Sequence, residues 1–162
     1  LDLYVPSLGY AVPVSGTMLV CASSYQRVQA ATKIVQDLNA LGFDLTLKSV
    51  DYDEYLSLLR AGNFDLYYGE VRLSPNFDLS PFFQSGGSLT YGALADTTMQ
   101  SLCNRMLVNS GNSYNLYQRL CDRGYLTPVM FKNYAVYTTR GSVTEPARYI
   151  DWLLPAPETV TD

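Results

Sequence analysis

Between residues 17 and 71, segments with the apolar pattern of a strand alternate with segments whose apolar residues recur at helical spacing. Residues 17–22 form a short apolar run with the length and β-branching of a buried strand, and residues 43–48 alternate apolar and polar side chains as a second strand does. After each of these strands, apolar side chains recur at helical spacing, and residues 64–71 have the pattern of a third strand. This β-α-β-α-β order with short connections predicts an α/β fold, mainly a parallel sheet flanked by helices.

The ends of the two predicted helices carry capping residues. Ser23 and Asp51 each begin a capping-box pattern, in which a short polar side chain accepts a bond from a free amide of the first turn. Gly42 and Gly62 lie where a glycine ends a helix. These four residues fix the expected limits of both helices.

The pattern is looser after the third strand. Residues 73–91 carry prolines and glycines typical of a long ordered loop, with one helical turn around residues 81–84. Helical spacing returns at residues 96–108 and 113–123. In the second of these helices Leu116, Leu120 and Cys121 are expected to face inward, and Gly124 is expected to end it. A further strand is predicted at residues 127–139, with a break near residues 132–133 that suggests a bulge.

Composition narrows the possible functions. A length of 162 residues fits one domain, and 48% hydrophobic with 16% charged residues argues against a disordered chain. No apolar run approaches the about 20 residues of a membrane helix. A net charge of -4 makes nucleic acid an improbable partner. With no histidine, the chain lacks the Ser-His-Asp and Cys-His triads and the common zinc sites, and we expect neither an enzyme nor a cofactor or metal site.

The cysteines and the first residue leave alternatives open. The chain has three cysteines, Cys21, Cys103 and Cys121, without the spacing of a metal-binding ribbon. The simplest interpretation is that all three are apolar thiols of the core. Alternatively, Cys103 and Cys121 could form a disulfide if their helices face each other. The sequence begins at Leu1 without a basic-then-apolar leader. We expect that a signal has been removed or that the chain is a piece of a longer protein.

Binding residues are expected at the carboxyl ends of the predicted strands, where ligands of parallel α/β sheets gather. The loop after the first strand offers Ser23, Ser24 and Tyr25, and the segment after the third strand offers Glu70 and Arg72. The serines and the two charged residues have a purely structural alternative: the serines cap a helix, and the two charges pair with each other or with neighbours.

Asp78 is a further ligand-binding candidate, on the loop after the third strand. For this residue the structural alternative, a cap for the short helical turn that follows, is the stronger one.

The order of these segments resembles a known family, the family 5 extracellular solute-binding proteins. Residues 29–43 resemble that family's "A..iq..L..lGi.v.l" stretch, and residues 50–55 with 60–66 resemble its "vd..ey...l..g.fDl" signature. Residues 115–120 followed by 128–131 are similar to its late helix and its "P..pl.f" strand. These proteins are the receptors of ABC importers for oligopeptides, dipeptides and related solutes.

The resemblance implies a fold, a location and partners. Residues 1–144 would form the C-terminal lobe of a two-lobed clamshell, a periplasmic-binding-protein type II lobe, and residues 145–162 would be an exit segment leading back to the first lobe. The expected partners are a peptide-like or other small polar solute, the N-terminal lobe and the permease subunits. The expected location is the outer membrane face, through a lipoprotein anchor, or the periplasm.

One departure from the family pattern leaves the solute open. Peptide-binding members follow the third strand with a "W..DYpDP" pattern, whose aspartate holds the peptide's amino terminus. Residues 69–78 contain neither that tryptophan nor an aligned aspartate. The alternative function, a ligand-sensing domain of a signalling receptor with the same fold, also stays open, and an upstream lipoprotein signal or a membrane helix would separate the two.

Overall fold

The fold is described from a computed structural model of the chain, which covers residues 2–7, 9–74, 76–92, 94–109, 111 and 113–131. The chain divides into two compact units: residues 1–72 with 80–100, and residues 73–79 with 101–162. In chain order the elements are β1 (Asp2–Val5), β2 (Tyr10–Pro13), β3 (Ser15–Cys21), α1 (Tyr25–Ala40), β4 (Asp44–Val50), α2 (Tyr52–Ala61), β5 (Leu66–Tyr68), α3 (Ser80–Phe83), α4 (Thr97–Val108) and α5 (Ser113–Arg123).

A parallel sheet of three strands lies at the centre of the first unit. Its order is β4-β3-β5, and β3 pairs in parallel with both neighbours. This confirms the predicted β-α-β-α-β arrangement. The antiparallel hairpin of β1 and β2, which the hydrophobic pattern did not predict, precedes the sheet.

Helices cover both faces of this sheet, so β3 buries side chains on both sides. Met18 and Val20 pack with apolar side chains of α1, whereas Leu19 and Cys21 pack with Tyr55 and other apolar side chains of α2. A strand buried on both faces has a continuous apolar sequence, which explains the run that marked β3.

The third strand is shorter than predicted. Instead of residues 64–71, only Leu66–Tyr68 pairs with β3. Just before the strand begins, the Asp65 side chain takes the place of a backbone acceptor, because its carboxylate accepts the Thr17 N–H at 2.7 Å. The Asp65 N–H donates to the Thr17 carbonyl. Glu70 and Arg72 therefore lie beyond the strand, and the prediction that the sheet holds the chain up to Val71 was wrong.

The helix ends follow the expected chemistry with one shift. Asp51 caps α2, accepting the Glu54 N–H at 2.9 Å, and Gly62 ends that helix with φ 71°. The cap of α1 is Ser24, not Ser23, and it accepts the Arg27 N–H at 3.4 Å. The helix starts one residue later than the capping box indicated, because Ser24 is the last residue with extended backbone.

The end of α1 and the start of α4 also agree with the pattern. Leu41 is the last residue of the helical turn in α1, and Gly42 follows it with φ 96°. At the start of α4, the Asp96 carboxylate accepts the N–H groups of Thr98 and Met99 at 2.8 and 3.0 Å. The helical turn expected at residues 81–84 is present as α3.

In the second unit, α5 has the predicted limits, and Gly124 follows it with φ 62°. Leu116 is fully buried, but Cys121 is exposed, so its predicted inward orientation was wrong. Five residues along a helix turn a side chain roughly 140° away from Leu116, whereas Leu120, four residues on, stays half-buried. All three cysteines are free thiols, which does not support a Cys103–Cys121 pair.

The predicted strand at 127–139 does not form over residues 127–131, which are exposed and have no regular structure. The rest of that segment, its break at 132–133 and the exit segment 145–162 lie outside the described residues. None of the described helices is long and apolar enough to cross a membrane.

Candidate functional site

The carboxyl ends of β3, β4 and β5 meet at one edge of the sheet, because all three strands run in parallel. The Tyr55 hydroxyl, in the first turns of α2, donates to the Tyr68 carbonyl at the end of β5 over 3.1 Å. The Arg27 side chain, in the first turn of α1, approaches Glu70 beyond β5. We call Ser23, Arg27, Tyr55 and Glu70 the carboxyl-edge site.

An ion pair supplies the charge of this site. Arg27 Nε lies 3.8 Å from Glu70 Oε2, with 32% of the Arg27 side chain and 47% of the Glu70 side chain exposed. This distance is beyond hydrogen-bond range, and Arg27 Nε is shielded from solvent with no hydrogen-bond partner among the described residues. The guanidinium and the carboxylate are therefore close, but no hydrogen bond through Nε fixes their geometry.

Tyrosines form one wall of the site, on the α2 side of the sheet. Burial raises the pKa of Tyr55 far above its ordinary value of 10.0, and the nearby Tyr67, Cys21 and Tyr91 raise it further, while Arg27 opposes the shift. Burial and then Tyr91 raise the pKa of Tyr67 as well. The two hydroxyls therefore keep their protons to a higher pH than an exposed tyrosine does.

The aromatic rings in this wall contact one another edge to face. Tyr67 packs against Phe64 with ring centroids 5.2 Å apart, and against Tyr91 at 6.0 Å. A Cβ atom at Gly69 would approach the Tyr67 ring to 3.1 Å, so the backbone beyond β5 lies directly against this ring. The wall is a packed aromatic surface that carries polar hydroxyl groups.

The structure brings Glu70, one of the predicted residues, close to a charged side chain of another element. Glu70 lies in an ion pair with Arg27, and its part in solute binding stays a prediction. Arg72 is exposed and lies two residues farther along the chain.

The other predicted residues near this edge interact locally. Ser24 caps α1, and the exposed Ser23 places its hydroxyl 3.1 Å from the Cys21 sulfur. The Tyr25 hydroxyl accepts a hydrogen bond from Gln29 on the same helix. These local contacts do not test whether Ser23, Ser24 and Tyr25 bind solute, so that role stays a prediction.

Asp78 belongs to the second compact unit. Its N–H donates to the Ser74 hydroxyl at 3.3 Å, and its side chain is half-buried. The structure thus places it two residues before α3, in a local turn, and its part in solute binding stays a prediction.

Sequence reasoning missed Arg27 and Tyr55. Arg27 did carry a signal: a cation in the first turn of a helix lies near the positive end of the helix dipole, and α1 has no acidic residue there. Such a placement indicates a partner or a functional demand. Tyr55 carried no separate signal, because it lies on the apolar stripe of α2 as a core residue would.

Metal binding at this edge finds no geometric support. Among the described residues, no three His, Cys, Asp or Glu side chains are grouped so that they could hold a metal ion. The site instead offers one ion pair, neutral hydroxyls and backbone groups.

The chain matches no protein-family model and no curated protein sequence. Its fold is similar to solved structures. One is the nickel ABC transporter from Bacillus halodurans, at 14% identity and a TM-score of 0.56, covering 70% of this chain and 26% of that one. Another is the oligopeptide-binding protein AppA from Bacillus subtilis in complex with a nonapeptide, at 16% identity and a TM-score of 0.59, covering 72% of this chain and 25% of that one.

These similarities confirm the fold that the family resemblance implied, an α/β unit with a parallel sheet, as found in part of transport binding proteins. The first neighbour is named as a transporter and the second as a binding protein. The chain spans about a quarter of the length of each neighbour.

Proposed function

We propose that this chain is part of the substrate-binding component of an ABC importer and that it contributes a wall of the solute site. The observation that carries the proposal is the fold shared with a nickel ABC transporter over 70% of this chain and with an oligopeptide-binding protein over 72% of it. The solute in this proposal is peptide-like or another small polar molecule. It binds at the carboxyl-edge site, where ligands of parallel α/β folds collect.

The rest of the transport system belongs to the same proposal. A second lobe of the same polypeptide closes on the solute as a hinged clamp, and the loaded receptor delivers it to membrane permease subunits. The receptor works on the outer face of the membrane, as a lipoprotein, or in the periplasm. The sequence contains no histidine, and the described residues contain no group of carboxylates that could hold a metal ion, which favours an organic solute over a nickel ion.

A ligand screen of the full-length polypeptide tests the function. Thermal unfolding is followed with small peptides, sugars, amines and Ni²⁺, because a solute that binds only the folded state raises the unfolding midpoint. A rise with peptides, reproduced by calorimetry with trialanine, supports the proposal. A rise with Ni²⁺ alone, or no rise with any compound of the screen, contradicts it.

Substitution of Arg72 tests whether the segment after β5 contacts the solute. Arg72→Ala should weaken trialanine binding by about 1–3 kcal/mol, since a charged hydrogen bond is lost, while an exposed charge contributes little to folding. Arg60→Ala, an exposed arginine in the last turn of α2, is the matched control and should bind as the wild type does. Unchanged affinity in Arg72→Ala would show that Arg72 does not contact the solute, and the contact would then be sought at Ser23, Ser24 and Tyr25.

A further inference from the structure

The strand order of the sheet reverses between β3 and β5. The chain runs from β3 to its neighbour β4 through α1, and then back past β3 to β5 through α2. The two helices pack on opposite faces of the sheet. In a parallel α/β sheet, such a reversal leaves a crevice beyond the carboxyl ends of the two strands that flank it, and ligands bind in that crevice. In this chain those strands are β3 and β5, and we call the place the β3–β5 crevice.

Arg27 and Glu70 come from the two sides of this crevice. Arg27 lies in the first turn of α1, which follows β3, and Glu70 lies just beyond β5. Arg27 Nε lies 3.8 Å from Glu70 Oε2, so this ion pair joins the segments that follow the two strands. At the end of β4, outside the crevice, Lys48 Nζ lies 3.2 Å from Glu54 Oε1. The positive charge nearest the strand reversal on the β3 side is therefore that of Arg27.

The guanidinium of Arg27 has a donor that the described residues do not use. Arg27 Nε is shielded from solvent and has no hydrogen-bond partner among them. A polar atom of this kind is uncommon in a folded protein, because the lost contact with water is not offset by a new bond. Glu70 and Arg72, in contrast, both take part in further interactions. Arg27 is therefore the charged residue of the crevice that offers a donor to a ligand.

The surface beside Arg27 is held in place by hydrogen bonding and packing. The Tyr55 hydroxyl donates to the Tyr68 carbonyl at the end of β5 over 3.1 Å. A Cβ atom at Gly69 would lie 3.1 Å from the Tyr67 ring and 3.4 Å from the Tyr55 hydroxyl, so the backbone beyond β5 rests directly on these tyrosines. Arg27 thus adjoins a fixed aromatic surface with polar groups, as preformed binding sites do.

We propose that Arg27 binds an acceptor oxygen of the solute, a carboxylate or a carbonyl oxygen, in the β3–β5 crevice. This rests on the proposed function and assigns Arg27 as a solute-binding residue. A guanidinium has N–H donors and no acceptor, so the group that complements it is an acceptor oxygen. Its planar fork directs those donors at one oxygen or at a pair of oxygens, which an ammonium group does not do.

The experiment measures the binding of two peptides to the full-length polypeptide by calorimetry at pH 7. Unblocked trialanine and its doubly blocked N-acetyl amide both have no net charge, so loss of a protein charge favours neither by general attraction. Arg27→Gln should weaken the binding of unblocked trialanine about tenfold or more, because a charged hydrogen bond is lost. Arg27→Lys should weaken it less, since it keeps the charge but not the fork.

The two peptides distinguish the two sources of the oxygen. If Arg27 binds the terminal carboxylate, Arg27→Gln weakens the binding of the unblocked peptide and leaves that of the blocked one unchanged. If Arg27 binds a carbonyl of the peptide chain, Arg27→Gln weakens both by the same factor. Either result supports the assignment, whereas wild-type affinity for both peptides overturns it.

Two further variants separate a lost contact from other effects of the substitution. Arg27→Gln combined with Glu70→Gln should bind as weakly as Arg27→Gln alone, because the guanidinium itself makes the contact. Recovery of wild-type affinity would assign the loss to a Glu70 carboxylate without its partner and would overturn the proposal. Lys48→Gln removes a cation at the end of β4 and should keep the wild-type affinity. An equal loss in Lys48→Gln would indicate a general effect of charge and would also overturn it.

A second measurement keeps the test open if Arg27→Gln does not fold. In the wild type with isotope-labelled arginine, the Nε–H resonance of Arg27, assigned from its absence in Arg27→Lys, should shift when trialanine is added. A resonance that stays in place while calorimetry shows binding overturns the proposal and leaves the proposed function intact. If the wild type binds neither peptide, the peptide-like solute and this assignment both fall.

Discussion

Tyr55 is the buried polar side chain that joins the start of α2 to the end of β5. Its hydroxyl donates to the Tyr68 carbonyl, and only 8% of the residue is exposed. A buried hydroxyl is tolerated because it is hydrogen-bonded, and the same burial disfavours the phenolate. The residue therefore helps to fix the carboxyl-edge site at neutral pH, whereas at alkaline pH the cost of ionising it in the folded state lowers the stability of the fold.

Replacing Tyr55 with phenylalanine should show both effects. Tyr55→Phe should lower the free energy of unfolding at pH 7 by about 1–2 kcal/mol, because the Tyr68 carbonyl loses its partner. The pKa of Tyr55 is raised in the folded state from 10.0 in the unfolded one, so the unfolded chain releases this proton first. The contribution of Tyr55 is thus complete below pH 10 and is lost as the pH rises above it.

Urea unfolding between pH 7 and pH 11 measures this difference. The wild type should lose stability above pH 10 more steeply than Tyr55→Phe does. Tyr114→Phe, an exposed tyrosine on α5, serves as the control and should keep the wild-type slope. Equal slopes in wild type and Tyr55→Phe would show that burial does not hold this proton.

Single residues were the least predictable level of this structure. The choice between Ser23 and Ser24 as the cap of α1 depends on where the backbone leaves its extended form, which two adjacent serines do not decide. Arg27 and Glu70 lie far apart in sequence and meet because β3 and β5 are neighbours in the sheet. Local patterns contain no information on such a pair until the strand order is known.

At the scale of elements, β4 forms one edge of the described sheet and is partly closed by a side chain of α1. The Asn39 side-chain amide donates to the Leu45 carbonyl at 3.0 Å, and its oxygen accepts the Leu45 N–H at 2.8 Å. Backbone groups on alternate residues of a strand point to opposite sides, and Asp44 bonds toward β3. Asn39 therefore takes the place of a neighbouring strand at the outward-facing Leu45, which protects an open edge.

Asn39→Ala should leave the outward-facing N–H and carbonyl of Leu45 without the Asn39 side chain as their partner. We expect the free energy of unfolding to fall by about 1–2 kcal/mol, because two hydrogen bonds to the backbone are lost and the better helix propensity of alanine offsets only part of them. Gln36→Ala, at an exposed position of the same helix, is the matched control and should change stability by no more than about 0.5 kcal/mol. Chemical denaturation followed by circular dichroism compares the variants, and an equal loss in both would exclude the edge contact as the cause.

Elements with a strong local period were predictable, and those shaped by tertiary contacts were not. The helices α1, α2 and α5 and the strands β3 and β4 follow from apolar spacing, capping residues and terminal glycines. The short β5 does not, because Asp65 uses its side chain to occupy the place of a ladder bond. The predicted strand ran on to Val71, whereas the alternation of Phe64, Leu66 and Tyr68 ends at Tyr68, where pairing with β3 also ends.

At the scale of the whole molecule, the fold was predictable from the order of elements, but the complete solute site was not. The chain spans 26% and 25% of the two structural neighbours, so most of the wall area of a clamshell site lies on other residues in the proposed receptor. The first unit nevertheless has its own core on both faces of the sheet. Folding and binding should therefore respond differently when this chain is isolated.

We predict that the 162-residue chain folds by itself but binds unblocked trialanine at least about tenfold more weakly than the full-length polypeptide. The core of the first unit does not need a second lobe, whereas a clamshell solute takes apolar contact and hydrogen bonds from both walls. Circular dichroism should show a cooperative thermal transition for the isolated chain, and calorimetry compares the two affinities. An isolated chain that unfolds without cooperativity would contradict the first half of the prediction. Binding at full strength would place the whole site on this chain and remove the need for a second wall.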